Sequence, residues 1–129
     1  MPIWIKPVIL YTMKMEIKIN LYLDHIVDDY FTHLKRTAKD ASSPAAIESK
    51  VKTFRQGLKM ADMGEYIKII TVVNNTTLAH SFILKNNLLE FKAMDIFEPN
   101  GWHEPNLKFS VGSVNDRSTY KYKAKWGGV

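Results

Sequence analysis

Cysteine is absent from the 129 residues. That excludes disulfides and thiolate zinc sites, and it is compatible with an intracellular setting. Long apolar runs are absent too. Val8 to Met13 is interrupted by Tyr11 and Thr12 and falls far short of the ~20 residues a membrane-spanning helix needs. No small-residue cleavage site follows it, as a secretory signal would require. The chain has no internal repeat, no low-complexity tract and no block of five like charges. It also lacks the P-loop, GxGxxG, GxSxG, HExxH and calcium-loop patterns. These absences turn the reading from enzyme toward binding module, with no cofactor and no metal expected.

One domain is expected at this length, large enough to form a core without staples. Lys+Arg number 18 against 13 Asp+Glu, a net charge of +5. The excess admits two readings: an attraction for acidic partners such as nucleic acid, or a charge that keeps a soluble domain dispersed.

Residues 1–14 hold two prolines and mixed apolar content, and are expected to form a loosely attached arm. Residues 15–23 alternate as a strand would. The continuation through Leu23, Ile26, Val27, Tyr30, Phe31, Leu34 and Ala38 instead follows one helical face. The spacing predicts a helix over about 20–39, with Asn20 as N-cap and Lys35, Arg36 and Lys39 in its last turns. Ser43 and Pro44 predict a restart, and Ile47, Val51, Phe54 and Leu58 form the stripe of a second helix ending near Lys59, with Gly57 its weak point. The helical pair thus spans 20–60, and a β-meander follows over 65–126. Strands are predicted at Tyr66–Val73 and Thr77–Lys85 around an Asn74-Asn75 turn, then at Leu88–Phe91, Asp95–Phe97, Phe109–Val114 and Thr119–Trp126. Helices first and strands afterwards mean α+β. The expected architecture is two N-terminal helices on a five- to six-stranded antiparallel, partly barrelled sheet.

From Phe54 to Trp126 the chain carries several short motifs in order. They are Phe54-x-x-Gly57-Leu58, Gly64-x-Tyr66-Ile67-Lys68-Ile69, His80-Ser81-Phe82-Ile83, Phe91-Lys92-x-x-Asp95-Ile96, Trp102-x-x-Pro105, Gly112-Ser113-Val114 and Trp126-Gly127. In these the chain resembles a group of small phage-associated proteins without an assigned activity. Members of that group carry Gly before the Asp of the fourth motif and Arg before the Gly of the sixth, where this chain has Met94 and Val111. The resemblance implies a viral or mobile-element origin, a small accessory role and action in the cytoplasm of a host cell.

Four constellations invite a functional reading. His25, Asp29 and His33 recur every four residues along one helix edge. Their outer members lie about 12 Å apart along the axis, too far to share one ion, so a solvated edge is expected. His80 and Ser81 are strand neighbours whose side chains should point to opposite faces, which argues against a nucleophile–base pair. The loop from Asp95 to Lys108 sets Trp102 and His103 between prolines, either as a stacking or interface platform or as the plug of a small barrel. Glu98 and Glu104 nearby could form an acid–base pair, but no sugar cleft is visible in so compact a loop. In Tyr120–Trp126, strand alternation places Lys121, Lys123 and Lys125 on one face, about 6.6 Å apart. With Arg117 and Lys108 they form either a phosphate-contacting surface or an edge that blocks aggregation.

The resulting expectation is a non-enzymatic binding protein that contacts nucleic acid through Trp102, His103, Lys108, Arg117, Lys121, Lys123 and Lys125. The alternatives are a protein-directed inhibitor of a host enzyme or defence complex, and a small hydrolase using His80 with Asp95 or Glu104. No membrane association is expected.

Overall fold

A computed structural model describes the backbone of residues 5–37 and 43–129, and the side chains of 14–37 and 43–129. Two helices lead the chain, α1 (Ile5–Thr37) and α2 (Pro44–Gly57). Five short strands then form one antiparallel sheet in the order β1 (Lys59–Asp62), β2 (Tyr66–Val73), β3 (Thr76–Leu84), β4 (Asp95–Phe97) and β7 (Gly112–Ser113). Between the last two, β5 (Pro99–Asn100) and β6 (Glu104–Pro105) pair as a separate ribbon. A short helix α3 (Arg117–Tyr120) follows. The class is α+β, as the order of patterns implies. The sheet is open rather than barrelled: β1 and β7 are its two edges.

The first helix is longer than its amphipathic stretch. It begins at Ile5, so residues 5–14 continue the helix instead of forming a loose arm, and Asn20 lies inside it rather than capping it. Pro7 is the third helical residue, in the first turn, where a missing N–H costs no intrahelical bond. Residues 1–4 of the expected arm lie outside the described residues, as do Ala38 and Lys39 of the expected helix end. The second helix starts as its sequence implies. The Ser43 hydroxyl accepts from the Ala46 N–H at 3.1 Å and Pro44 takes the first turn. It stops at Gly57, two residues short of the expected end, because the chain there turns directly into β1, which the sequence pattern did not reveal. Gly57 is a close-approach residue: a Cβ there would sit 2.9 Å from Val72 Cβ.

The β2–β3 hairpin is legible in the residues that build it. Asn74 and Asn75 adopt φ of 52° and 63°, the left-handed pair a two-residue turn requires. Opposed residues in the ladder share a face. Ile67, Ile83 and Ile96 face the helices, while Lys68, Phe82 and Phe97 face away. The helix side holds the main core, where Ile19, Tyr22, Ile26 and Phe54 meet Ile69, Ile83 and Ile96. Tyr30 stacks on Phe54 at 4.4 Å to join the two helices. The opposite side is covered by the chain between β3 and β7, with Phe82, Leu84, Phe91 and Phe97 as a second core.

Two expected strands are not strands. Leu88 and Phe91 close a tight turn, with Leu89 at φ 54°, rather than opening a third strand. Thr119–Trp126 is a helical turn followed by loops. Asp116 caps α3, accepting from the Ser118 N–H at 3.0 Å, and Tyr120 and Ala124 are buried four residues apart. Helical spacing accounts for that pair. Period-two alternation does not, since it would have buried Tyr122 as well. Of Phe109–Val114 only Gly112 and Ser113 pair.

Candidate nucleic-acid interface

The C-terminal segment is held against α1 by polar contacts made with its backbone. His25 Nε2 lies 3.1 Å from the Ala124 carbonyl, and the Trp126 N–H donates to the Asp29 carboxylate at 2.8 Å. The His33 ring packs on Trp126 at 4.8 Å, and Lys125 Nζ lies 3.8 Å from Asp29. The edge expected to be solvated is therefore the seat of residues 124–126. Its four-residue spacing matches three successive contacts along a strap of chain. Among the described residues no group of three metal-ligating side chains converges.

His80 is the other anchor of that strap. Ile69 pairs with Ser81 and Ile70 with Ala79, which leaves His80 as the extra residue of a β-bulge. The bulge defeats the parity argument: His80 and Ser81 both turn toward the helices and lie 2.9 Å apart, Nδ1 to Oγ. His80 Nε2 is 2.6 Å from the Lys125 carbonyl. A carbonyl can only accept, so Nε2 carries the proton. Burial holds His80 below its ordinary pKa, so the ring is neutral and Nδ1 accepts from the Ser81 hydroxyl. Ser81 Oγ then accepts from Tyr22 Oη at 2.8 Å, and burial pushes that phenol far up. The result is a one-way relay from Tyr22 through Ser81 and His80 to the Lys125 carbonyl. Ser81 is 0% and His80 2% exposed, out of reach of a substrate. The Asp95 carboxylate accepts from the Lys92 N–H and Glu104 is exposed on β6. The hydrolase constellation is thus not assembled around His80.

Anchored in this way, the strap presents cations outward. Arg117, Lys121, Lys123 and Lys125 are exposed. Among the described residues no carboxylate lies within ion-pair distance of Arg117, Lys121 or Lys123. Tyr122 stands between the lysines with 76% of its surface exposed, the Lys121 ammonium 5.4 Å from its ring centre. Sequence reasoning missed Tyr122 because strand alternation assigned it to the buried face. Lys123 lines a shallow open hollow of about 500 Å³ with Ser110, Ser113, Ser118 and Thr119, and Asp95 brings a negative charge to its wall.

The remaining predicted residues lie elsewhere. Gly101, at φ 79°, turns the chain between β5 and β6 and sets Trp102 and His103 at the tip of that ribbon. Lys68 Nζ donates to the Trp102 carbonyl at 2.8 Å and lies 3.7 Å from the centre of its ring. Lys68 is 2% exposed and belongs to the sheet face turned away from the helices. Trp102 therefore closes over a sheet face rather than plugging a barrel end. It shares that face with neither Tyr120 nor Ala124, which pack in the helix-side core. Lys108 is exposed two residues before Ser110 of the hollow. The structure thus gathers Arg117, Lys121, Lys123 and Lys125 on one segment and separates Trp102 and His103 from them. No protein-family model, no curated protein and no solved structure matches the chain, and among the described residues no helix is long and apolar enough to cross a membrane.

Proposed function

We propose that this is a non-enzymatic binding protein that contacts single-stranded nucleic acid through the segment Arg117–Lys125. The observation that carries the reading is the exposed Tyr122 set between Lys121 and Lys123 on a rigidly anchored strap. Cations neutralise phosphates, and an exposed ring offers any base a stacking face. A phage-associated origin with action in the host cytoplasm belongs to the same proposal. It is supported by Met94, which holds φ 77° at the position where the resembled group carries glycine.

The test is fluorescence anisotropy with a labelled single-stranded oligonucleotide across a salt series. Three phosphate contacts give a slope of log affinity against log salt of about −2. Lys121→Ala with Lys123→Ala reduces that slope, and Tyr122→Ala weakens binding by about 1–3 kcal/mol. Absence of binding at low salt ends the proposal.

The second reading, a protein-directed inhibitor, draws on exposed Leu89, Trp102 and Phe109 in the loops beyond β3. In that case Trp102→Ala removes capture of a host protein while leaving the fold intact.

A further inference from the structure

At the opposite end of the sheet, β1 is an edge strand whose unpaired backbone faces a cavity. Its hydrogen-bond phase follows from the hairpin. The Met63 N–H donates to the Tyr66 carbonyl at 2.8 Å, and Asp62 stands opposite Ile67. Bonded and non-bonded pairs alternate in an antiparallel ladder, so Ala61 bonds to Lys68 and Lys59 to Ile70. The N–H and C=O groups of Met60 and Asp62 therefore point away from β2. Among the described residues no backbone group partners them. Met60 and Asp62 also line a cavity of about 470 Å³ between this edge and α1, whose other walls include Met15, Glu16, Ile19 and Ile67. Both side chains lie on the helix side of the sheet, opposite Ile69 and Ile67.

We propose that this groove binds an extended peptide segment of another protein as a sixth strand, added to β1 alongside α1. Two Met60 and two Asp62 backbone groups supply the main-chain bonds of such an addition. Alternate side chains of the added strand enter the cavity, where Met15, Ile19, Met60 and Ile67 offer an apolar floor to a large aliphatic or aromatic residue and Glu16, Asp62, Lys85 and Asn86 form a polar rim. The rim selects charge. Lys85 is engaged by the Asp62 carboxylate at 2.9 and 3.0 Å, whereas no cation of the described residues lies within ion-pair distance of Glu16. The occupant is thus an apolar residue flanked by lysine or arginine.

A yeast-displayed library of short linear peptides, sorted on the whole protein and counter-sorted on Met60→Pro, tests this. Proline removes the outward N–H of Met60 and spares the bonds of Lys59 and Ala61 to β2. Sorting should enrich peptides that alternate apolar with basic residues. Met60→Pro and Glu16→Lys should each weaken them at least about tenfold. The Met60 and Asp62 amides should exchange more slowly in the bound state by NMR. N-methylation of the peptide amide facing the edge should abolish binding to the unaltered protein, a readout that holds even where Met60→Pro fails to fold. Peptides that bind both proteins equally, failure to enrich any peptide, or unchanged amide exchange overturns the proposal. So does a dimer that Met60→Pro dissolves, since a second copy would then occupy the edge.

Discussion

Replacing Ser81 with alanine removes one buried hydroxyl that serves two neighbours, and the structure sets the size of the loss. Ser81 Oγ accepts from Tyr22 and donates to His80 Nδ1, and all three side chains are buried in the core. Ser81→Ala orphans a phenol proton and an imidazole lone pair together. Each buried group left unpaired costs about 1–3 kcal/mol, so the substitution should cost about 2–6 kcal/mol. Tyr22→Phe is different in kind. It removes the donor at the head of the relay, leaves Ser81 still donating to His80, and orphans only a spare lone pair, for about 1 kcal/mol. In the Tyr22→Phe background, Ser81→Ala orphans only His80, so the double mutant should show a coupling of about 1–3 kcal/mol, the cost of the phenol proton no longer orphaned. Urea denaturation followed by circular dichroism measures all three. With m of about 1–3 kcal/mol/M, the Ser81→Ala midpoint should fall by about 1 M or more. Equal costs for Ser81→Ala and Tyr22→Phe, or strict additivity, would refute the one-way relay and the neutral His80 that directs it.

The same relay makes stability depend on pH. Burial holds both His80 and His25 below the ordinary histidine value of 6.5, so below that pH the unfolded chain binds more protons than the folded one. Their stabilisation is complete above pH 6.5 and falls as the medium is acidified toward the folded-state values. The limiting slope is about 1.4 kcal/mol per pH unit for His80, with half-exposed His25 adding less. Urea midpoints between pH 8 and pH 5 should show the decline, and His80→Gln should flatten it. At Gly57, alanine would favour the helix by about 1 kcal/mol on propensity alone. The contact of its Cβ with Val72 costs about 1–3 kcal/mol and cancels that gain, and thermal denaturation should show Gly57→Ala no more stable than the parent and up to about 2 kcal/mol less so.

Local chemistry made much of the fold legible. The Ser43-Pro44 start and the Asn74-Asn75 turn each depend on a residue's own backbone preference or its nearest hydrogen bond, so they can be read without the rest of the molecule. The stripe of α2 and most of the α1 face from Leu23 to Leu34 follow from a period of 3.6 and were equally visible, although Phe31 is turned out to solvent; in β3 the bulge at His80 breaks the period of 2. The C-terminal segment was misread because a seven-residue alternation of aromatic and lysine fits a strand on paper. In the molecule Tyr120 and Ala124 are buried by a helical turn that α3 begins, and Tyr122 is turned out to solvent. Its cations are exposed, but on a helical turn and loops rather than along one face of a strand.

Residue order alone determined the α+β class, the helix pair and the central hairpin, because each follows from interactions spanning a few positions, and composition alone excluded disulfides. Tertiary structure alone decided that His25, Asp29 and His33 grip the chain end, that a bulge turns His80 onto the face of Ser81, and that Trp102 and the lysine segment serve different faces of the sheet. Those outcomes pair groups as many as 99 positions apart. They depend on which backbone carbonyls and amides packing brings within hydrogen-bond distance of a side chain, a proximity that no periodicity in the sequence encodes.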